Sequence, residues 1–187
     1  RARGPDLARR LGLFALMLLW SLFGHASAVV LDALDASPAG RHATVLIEQG
    51  EALTPQAAQA ALRAGRFAAV EVAVPKFGIG SRPVWLHLAV DNRGPSAQWR
   101  QLVVGVPWLD RAEVHLLRGD TVVAQFAAGD GEAGLQQPAG SLGFLFGHAF
   151  EPGVTEILVR AASPAPPLLP VRLLSAEAAA AAQRAPD

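Results

Sequence analysis

The chain has 187 residues, about the size of one ordinary domain. It is 51% hydrophobic and only 17% charged, against roughly 25% in typical soluble chains, which excludes disorder driven by excess charge. Sixteen Lys and Arg balance sixteen Asp and Glu with no basic stripe, so a nucleic-acid groove lacks its electrostatic footprint, and the absence of Cys excludes a disulfide framework, a thiolate nucleophile, a zinc ribbon and an iron–sulfur cluster.

Arg1, Arg3, Arg9 and Arg10 precede the apolar run Leu11 to Phe23, which ends in the small residues Ala26, Ser27 and Ala28. This is the pattern of a signal peptide over residues 1–28, cleaved after Ala28. The run is 13 residues long, short of the roughly 20 that a helix needs to cross a bilayer. Removing it takes away four Arg and Asp6, leaving 12 basic against 15 acidic residues and a formal charge of −3. The chain starts without Met, its only Met being Met17, and stops in an Ala-rich polar stretch, 176–187. A linker towards a missing membrane region is expected there, in a piece of a longer protein.

Between these segments, residues 29–175 read as one domain. Thr44 to Glu48 alternates and predicts a first strand. Thr54-Pro55 then opens a helix, because Thr54 can cap free N–H groups, Pro55 fits the first helical position, and Ala57 to Leu62 are helix formers ending at Gly65. After Phe67 the period changes to two, and Gly or Pro recurs every 8 to 12 residues or so, as antiparallel β proteins require. Val84, Leu86, Leu88 and Val90 fall on one face of a strand, with Trp85, His87, Ala89 and Asp91 on the other. Asn92 to Pro95 is a turn. Trp99 to Val106 follows as a strand stopped by Pro107, with Trp108 beside it as a plug for the sandwich end. Ala112, Val114 and Leu116 alternate with Glu113 and His115, and Arg118-Gly119-Asp120 turns a hairpin into Thr121 to Phe126. Asp130 to Gly140 is a Gly-rich loop. Phe144, Phe146 and Phe150 share parity in the next strand, Glu151 to Gly153 turns the chain, and Thr155 to Ala162 and Leu168 to Leu174 complete the set. About eight short strands, one helix near the N-terminus and no βαβ rhythm predict an all-β fold, an antiparallel jelly-roll-like β-sandwich.

The order of certain residues is also informative. A helix leading to Phe67, then Phe77-Gly78, Val84-Trp85-Leu86-His87-Leu88 and Asp91-Asn92 is followed by Gln98-Trp99, Leu102-Val103-Val104 and Pro107 to Val114 around Leu109-Asp110. Gly129 comes next, and Leu158-Val159-Arg160 leads through Ser163 to Leu169-Pro170-Val171-Arg172-Leu173. In this order they resemble the second extracellular domain of bacterial seven-transmembrane receptors with diverse intracellular signalling modules, over roughly Val45 to Ser175. The resemblance implies a jelly-roll sandwich similar to carbohydrate-binding modules. It also implies a place outside the inner membrane, ahead of seven helices and a cytoplasmic output domain such as a diguanylate cyclase or a histidine kinase. One position departs from the family pattern: His87 stands where the family usually shows Arg, two residues after the strand Trp.

The chemistry-bearing residues point to binding rather than catalysis. His87, His115 and His148 lie on three different predicted strands without paired ligand spacing, so no metal and no cofactor is expected. Gly80-Ser81 is followed by Arg82 and Pro83, which makes no nucleophile elbow. Asp91, Asp110, Glu113, Asp120, Asp130 and Glu132 sit mostly in turns, as solvated acids do. Phe77 to Gly80 precedes no helix and so makes no phosphate loop. What remains is the face carrying Trp85, His87 and Trp99. Exposed aromatics stack on sugar rings, while His and Arg beside them bond hydroxyls or carboxylates. Alternatively, both Trp residues lie under the helix or a loop as second-layer packing. Arg160 is expected to pair with a carboxylate or a ligand anion on the face of Trp85.

The sequence therefore predicts a non-enzymatic, ligand-sensing periplasmic domain of a membrane-bound receptor. A carbohydrate-like or other small polar ligand would be held by Trp85, His87, Trp99 and Arg160, and downstream transmembrane and cytoplasmic signalling domains would be the partners. The alternative is a free periplasmic carbohydrate-binding or structural module with no signalling partner, and a third reading is a periplasmic hydrolase.

Overall fold

A computed structural model describes residues 28–34, 37–80, 82–129, 143–165 and 167–184. The expected signal peptide, apart from Ala28, and the expected loop Asp130 to Gly140 lie outside the described residues. The chain forms a sandwich-like all-β fold of two sheets. In chain order its strands are β1 (Val29–Val30), β2 (Thr44–Ile47), β3 (Ala68–Ala69), β4 (Val84–Asn92), β5 (Gln98–Val104), β6 (Arg111–Arg118), β7 (Thr121–Gly129), β8 (Phe144–Phe150), β9 (Gly153–Ala162) and β10 (Val171–Leu174). The helices are α1 (Pro55–Arg63) and α2 (Ala176–Arg184).

The larger sheet has the order β3-β2-β4-β9-β6-β7, with β1 added parallel to β4. The smaller sheet is β10-β5-β8. All eight expected strands are present, and β1 and β3 are two-residue additions. Alternation decides which side chains go between the sheets: Leu86, Leu88 and Val90 of β4, Ala112, Val114 and Leu116 of β6, and Ile157, Val159 and Ala161 of β9 meet Leu102, Val104, Phe144 and Phe146 of the smaller sheet in one core.

Residues of opposite parity build a second apolar layer outside the larger sheet. Trp85, Leu117 and Leu158 pack there with Ala58 of α1 and with Leu46, Leu53 and Phe67. Helix α1 begins as expected: Thr54 accepts the Ala57 N–H at 3.2 Å and Pro55 occupies the first turn. Its far end is tied to the β6–β7 hairpin, where Gln59 donates to the Gly119 carbonyl at 3.2 Å and Arg63 pairs with Asp120. That hairpin is as tight as expected, with Gly119 at φ +59°, a region that suits glycine.

Two expectations are corrected. The Ala-rich stretch contains a second helix, because five consecutive Ala residues between Glu177 and Gln183 favour helix, and burial of Ala179 against Val103 and Leu174 docks it on the smaller sheet. Trp108 does not plug the sandwich: it is exposed, because Leu109 turns inward into the core in its place.

Candidate functional site

The register of the larger sheet sets four side chains in a row on its outer face. Leu46 lies opposite Trp85, Trp85 opposite Arg160, and Arg160 opposite Glu113, so β2, β4, β9 and β6 each contribute one. The next row is Thr44, His87, Leu158 and His115. Glu48, just past the end of β2, closes the first row from the side. Its carboxylate accepts the Trp85 indole N–H at 2.8 Å, the Arg160 Nε–H at 2.9 Å and an Arg160 terminal N–H at 3.1 Å, together with the Leu53 backbone N–H at 3.2 Å. Arg160 also lies 3.5 Å from Glu113.

Glu48 is buried, and burial alone would raise its pKa. The hydrogen bonds from Arg160 and Trp85, the Arg160 charge and the Leu53 N–H outweigh that and hold the carboxyl below its usual range. Arg160 is correspondingly raised, first through its hydrogen bond to Glu48, against the opposing effect of burial. One arginine between two carboxylates in a partly dry layer makes a rigid ionic clasp.

Trp85 is 0% exposed, stacked on His115 with ring centroids 6.0 Å apart, and roofed by α1. It occupies the second-layer packing position. His87 is 4% exposed, meets Phe67 edge-on at 6.4 Å, and has no hydrogen-bond partner at either ring nitrogen among the described residues. Burial pushes it down to about 4, so the imidazole is neutral at ordinary pH. Burial lowers His115 as well, with the Glu113 charge opposing.

Trp99 is elsewhere. The expected common face of Trp85, His87 and Trp99 is corrected: Trp85 and His87 face outward from the larger sheet, whereas Trp99 belongs to β5 of the smaller one. Parity places residues on a face of their own strand, but only the strand order reveals that β4 and β5 belong to different sheets. Trp99 is 44% exposed and lies across Gly147 of β8, where an added Cβ would stand 3.3 Å from the indole ring. The missing side chain leaves room for the ring. Helix α2 covers the neighbouring part of the same face over Val103, Leu145 and Leu174.

The structure thus brings together Trp85, His87 and Arg160 and leaves Trp99 apart. Sequence reasoning missed Glu48, which reads as the polar end of a strand. The available signal was indirect, since an arginine expected beside a buried Trp requires an acid of matching parity, and Glu48 and Glu113 both qualify.

Among known protein families, the one described as 7TMR-DISM extracellular 2 matches residues 40–175. No curated protein matches the chain.

Proposed function

We propose, from the premise that the chain belongs to the 7TMR-DISM extracellular 2 family, that it is the ligand-reading domain of a bacterial membrane-bound receptor. Membership of this family makes the chain a receptor's extracellular domain. Residues 1–28 export the chain to the periplasm, the sandwich binds a carbohydrate-like or other small polar ligand, and transmembrane and cytoplasmic modules of the full-length protein receive the signal.

The observation that carries the ligand assignment is Trp99, a half-exposed indole seated against Gly147 at the part of the smaller sheet that α2 leaves open. A pre-positioned aromatic surface of this kind stacks on a sugar ring with little loss of rotamer freedom. On the opposite sheet Trp85 packs under α1, with Arg160 holding Glu48 and His87 meeting Phe67 in the same layer.

Titration of a glycan array with the wild-type chain and with Trp99→Ala tests the assignment. Binding by the wild type and its loss in the variant, at unchanged urea midpoint, supports it; a wild type that binds no glycan removes the carbohydrate part. Hydrophobic segments encoded beyond Asp187 and recovery of the full-length product with inner membranes test the receptor part independently.

A further inference from the structure

The two ends of the sandwich differ. At one end the strands turn directly, as in the Arg118–Thr121 hairpin. At the other, among the described residues, two straps cross from the smaller sheet to the larger. The first is a ribbon in which Leu169 N–H donates to the Pro75 carbonyl at 3.0 Å, Lys76 bridges Leu168, and Phe77 N–H donates to the Pro167 carbonyl at 3.1 Å. It starts beside β5, where Gly105 N–H donates to Pro170 at 2.8 Å, and ends beside β9, where Gly80 N–H donates to Pro164 at 3.3 Å. The second strap is the connection from β5 to β6. A groove of about 390 Å³ lies between them, lined by Gly80, Pro83, Asp110, Arg111, Ser163 and Pro164.

Each strap holds a large apolar side chain outward: Ile79 is 85% exposed and Trp108 is 59% exposed. Two observations indicate what covers them. The first is charge. Lys76 and Arg82 are exposed on either side of Ile79, and Asp110, the acid between the straps, accepts a hydrogen bond from the Ser163 hydroxyl. An outward Ile flanked by two basic side chains, with an outward Trp on the neighbouring strap, is a combination that settles in the headgroup layer of an anionic bilayer. The second is direction. Leu174 stands opposite Gln101, and Ala179 packs on Val103, two residues nearer Gly105, so α2 runs back towards the straps. Helix α2 is thereby directed at the same end.

With the receptor reading above as premise, we propose that the strap end is a bilayer-docking surface, in which Ile79 and Trp108 enter the headgroup layer of an anionic phospholipid membrane and Lys76 and Arg82 meet lipid phosphates. Docking here would orient the sandwich with its hairpin end and the Gly119 turn away from the membrane.

The chain has no Cys, so Ile79→Cys carries a single environment-sensitive fluorophore, and Val154→Cys, beside Asp91 at the opposite end, serves as the control. Each labelled chain is mixed with vesicles of phosphatidylethanolamine and phosphatidylglycerol, or of phosphatidylcholine alone. The apolar run Leu11 to Phe23 is common to both chains, so only the difference between the two positions reports on docking. The expected result is a blue shift and brightening at position 79 with the anionic vesicles and no response at position 154. In that background Lys76→Gln and Arg82→Gln should each weaken vesicle affinity about five-fold. A silent probe at 79, equal responses at both positions, or an equal response to phosphatidylcholine would overturn the proposal. If the probe is silent while the full-length protein still fractionates with inner membranes, the receptor reading stands and only the docking surface is lost.

Discussion

Glu48 and Arg160 are separated by 112 residues and meet through two hydrogen bonds of 2.9 and 3.1 Å, with the indole of Trp85 donating to the same carboxylate oxygen that takes the shorter one. The pair couples the segment before α1 to β9 in the middle of the larger sheet. Because both groups are largely shielded from water, neither is expendable alone: the remaining partner would be left charged and desolvated.

Glu48→Ala should therefore destabilise the fold by about 3 kcal/mol, the lower end of the range for breaking a buried pair, because Glu113 still faces Arg160 at 3.5 Å. Glu48→Leu combined with Arg160→Met should lose less than the sum of the two single changes. Urea unfolding of the wild type, Glu48→Ala, Glu48→Leu, Arg160→Met and the double variant measures both quantities, and a loss below about 1 kcal/mol for Glu48→Ala would show that the clasp is a surface pair in practice.

The two tryptophans should respond oppositely. Trp85→Ala removes a fully buried side chain and should destabilise the fold by about 3 to 5 kcal/mol. Trp85→Phe, which loses the indole donor to Glu48, should cost about 1 to 3 kcal/mol. Trp99→Ala, at a half-exposed position, should change stability by about 1 kcal/mol or less. Equal losses at Trp85 and Trp99 in paired melts would contradict the placement of Trp99 on an open face.

Acid should unfold the domain partly through His87. Its folded pKa of about 4 lies below the ordinary value of about 6.5, so the unfolded chain binds the proton more readily. Its contribution to stability is full above about pH 6.5 and is lost as pH falls towards 4, by about 3 kcal/mol in all. His115 acts in the same direction, and Glu48, whose pKa is lowered, adds a loss at lower pH as its carboxylate is protonated. The measurement is the urea midpoint between pH 7.5 and 4.5. His87→Leu should flatten that slope, and an unchanged slope would mean that His87 reaches water before it is protonated.

Deleting residues 176–187 should uncover Val103, Leu145 and Leu174 and lower stability by about 2 kcal/mol while the β signal in circular dichroism persists. Loss of all β signal would mean instead that α2 is required for the smaller sheet to form.

The strands and their inward faces were legible because alternation is a local property: Leu86, Leu88 and Val90 face the core wherever β4 lies, since successive side chains point to opposite sides. The cap at Thr54 and the turn at Gly119 follow from the same short-range chemistry. Strand partners are different. Whether Trp85 and Trp99 share a surface depends on β4 pairing with β9 while β5 pairs with β8, and that choice is made by long-range hydrogen bonding between segments with similar local patterns. The same pairing draws Glu48 to Arg160 and closes α1 over Trp85, which turns an apparently open aromatic face into a buried one. Local periodicity determined the elements and their two sides. Only the tertiary structure decided which sides face each other, because burial energy depends on what arrives from elsewhere in the chain.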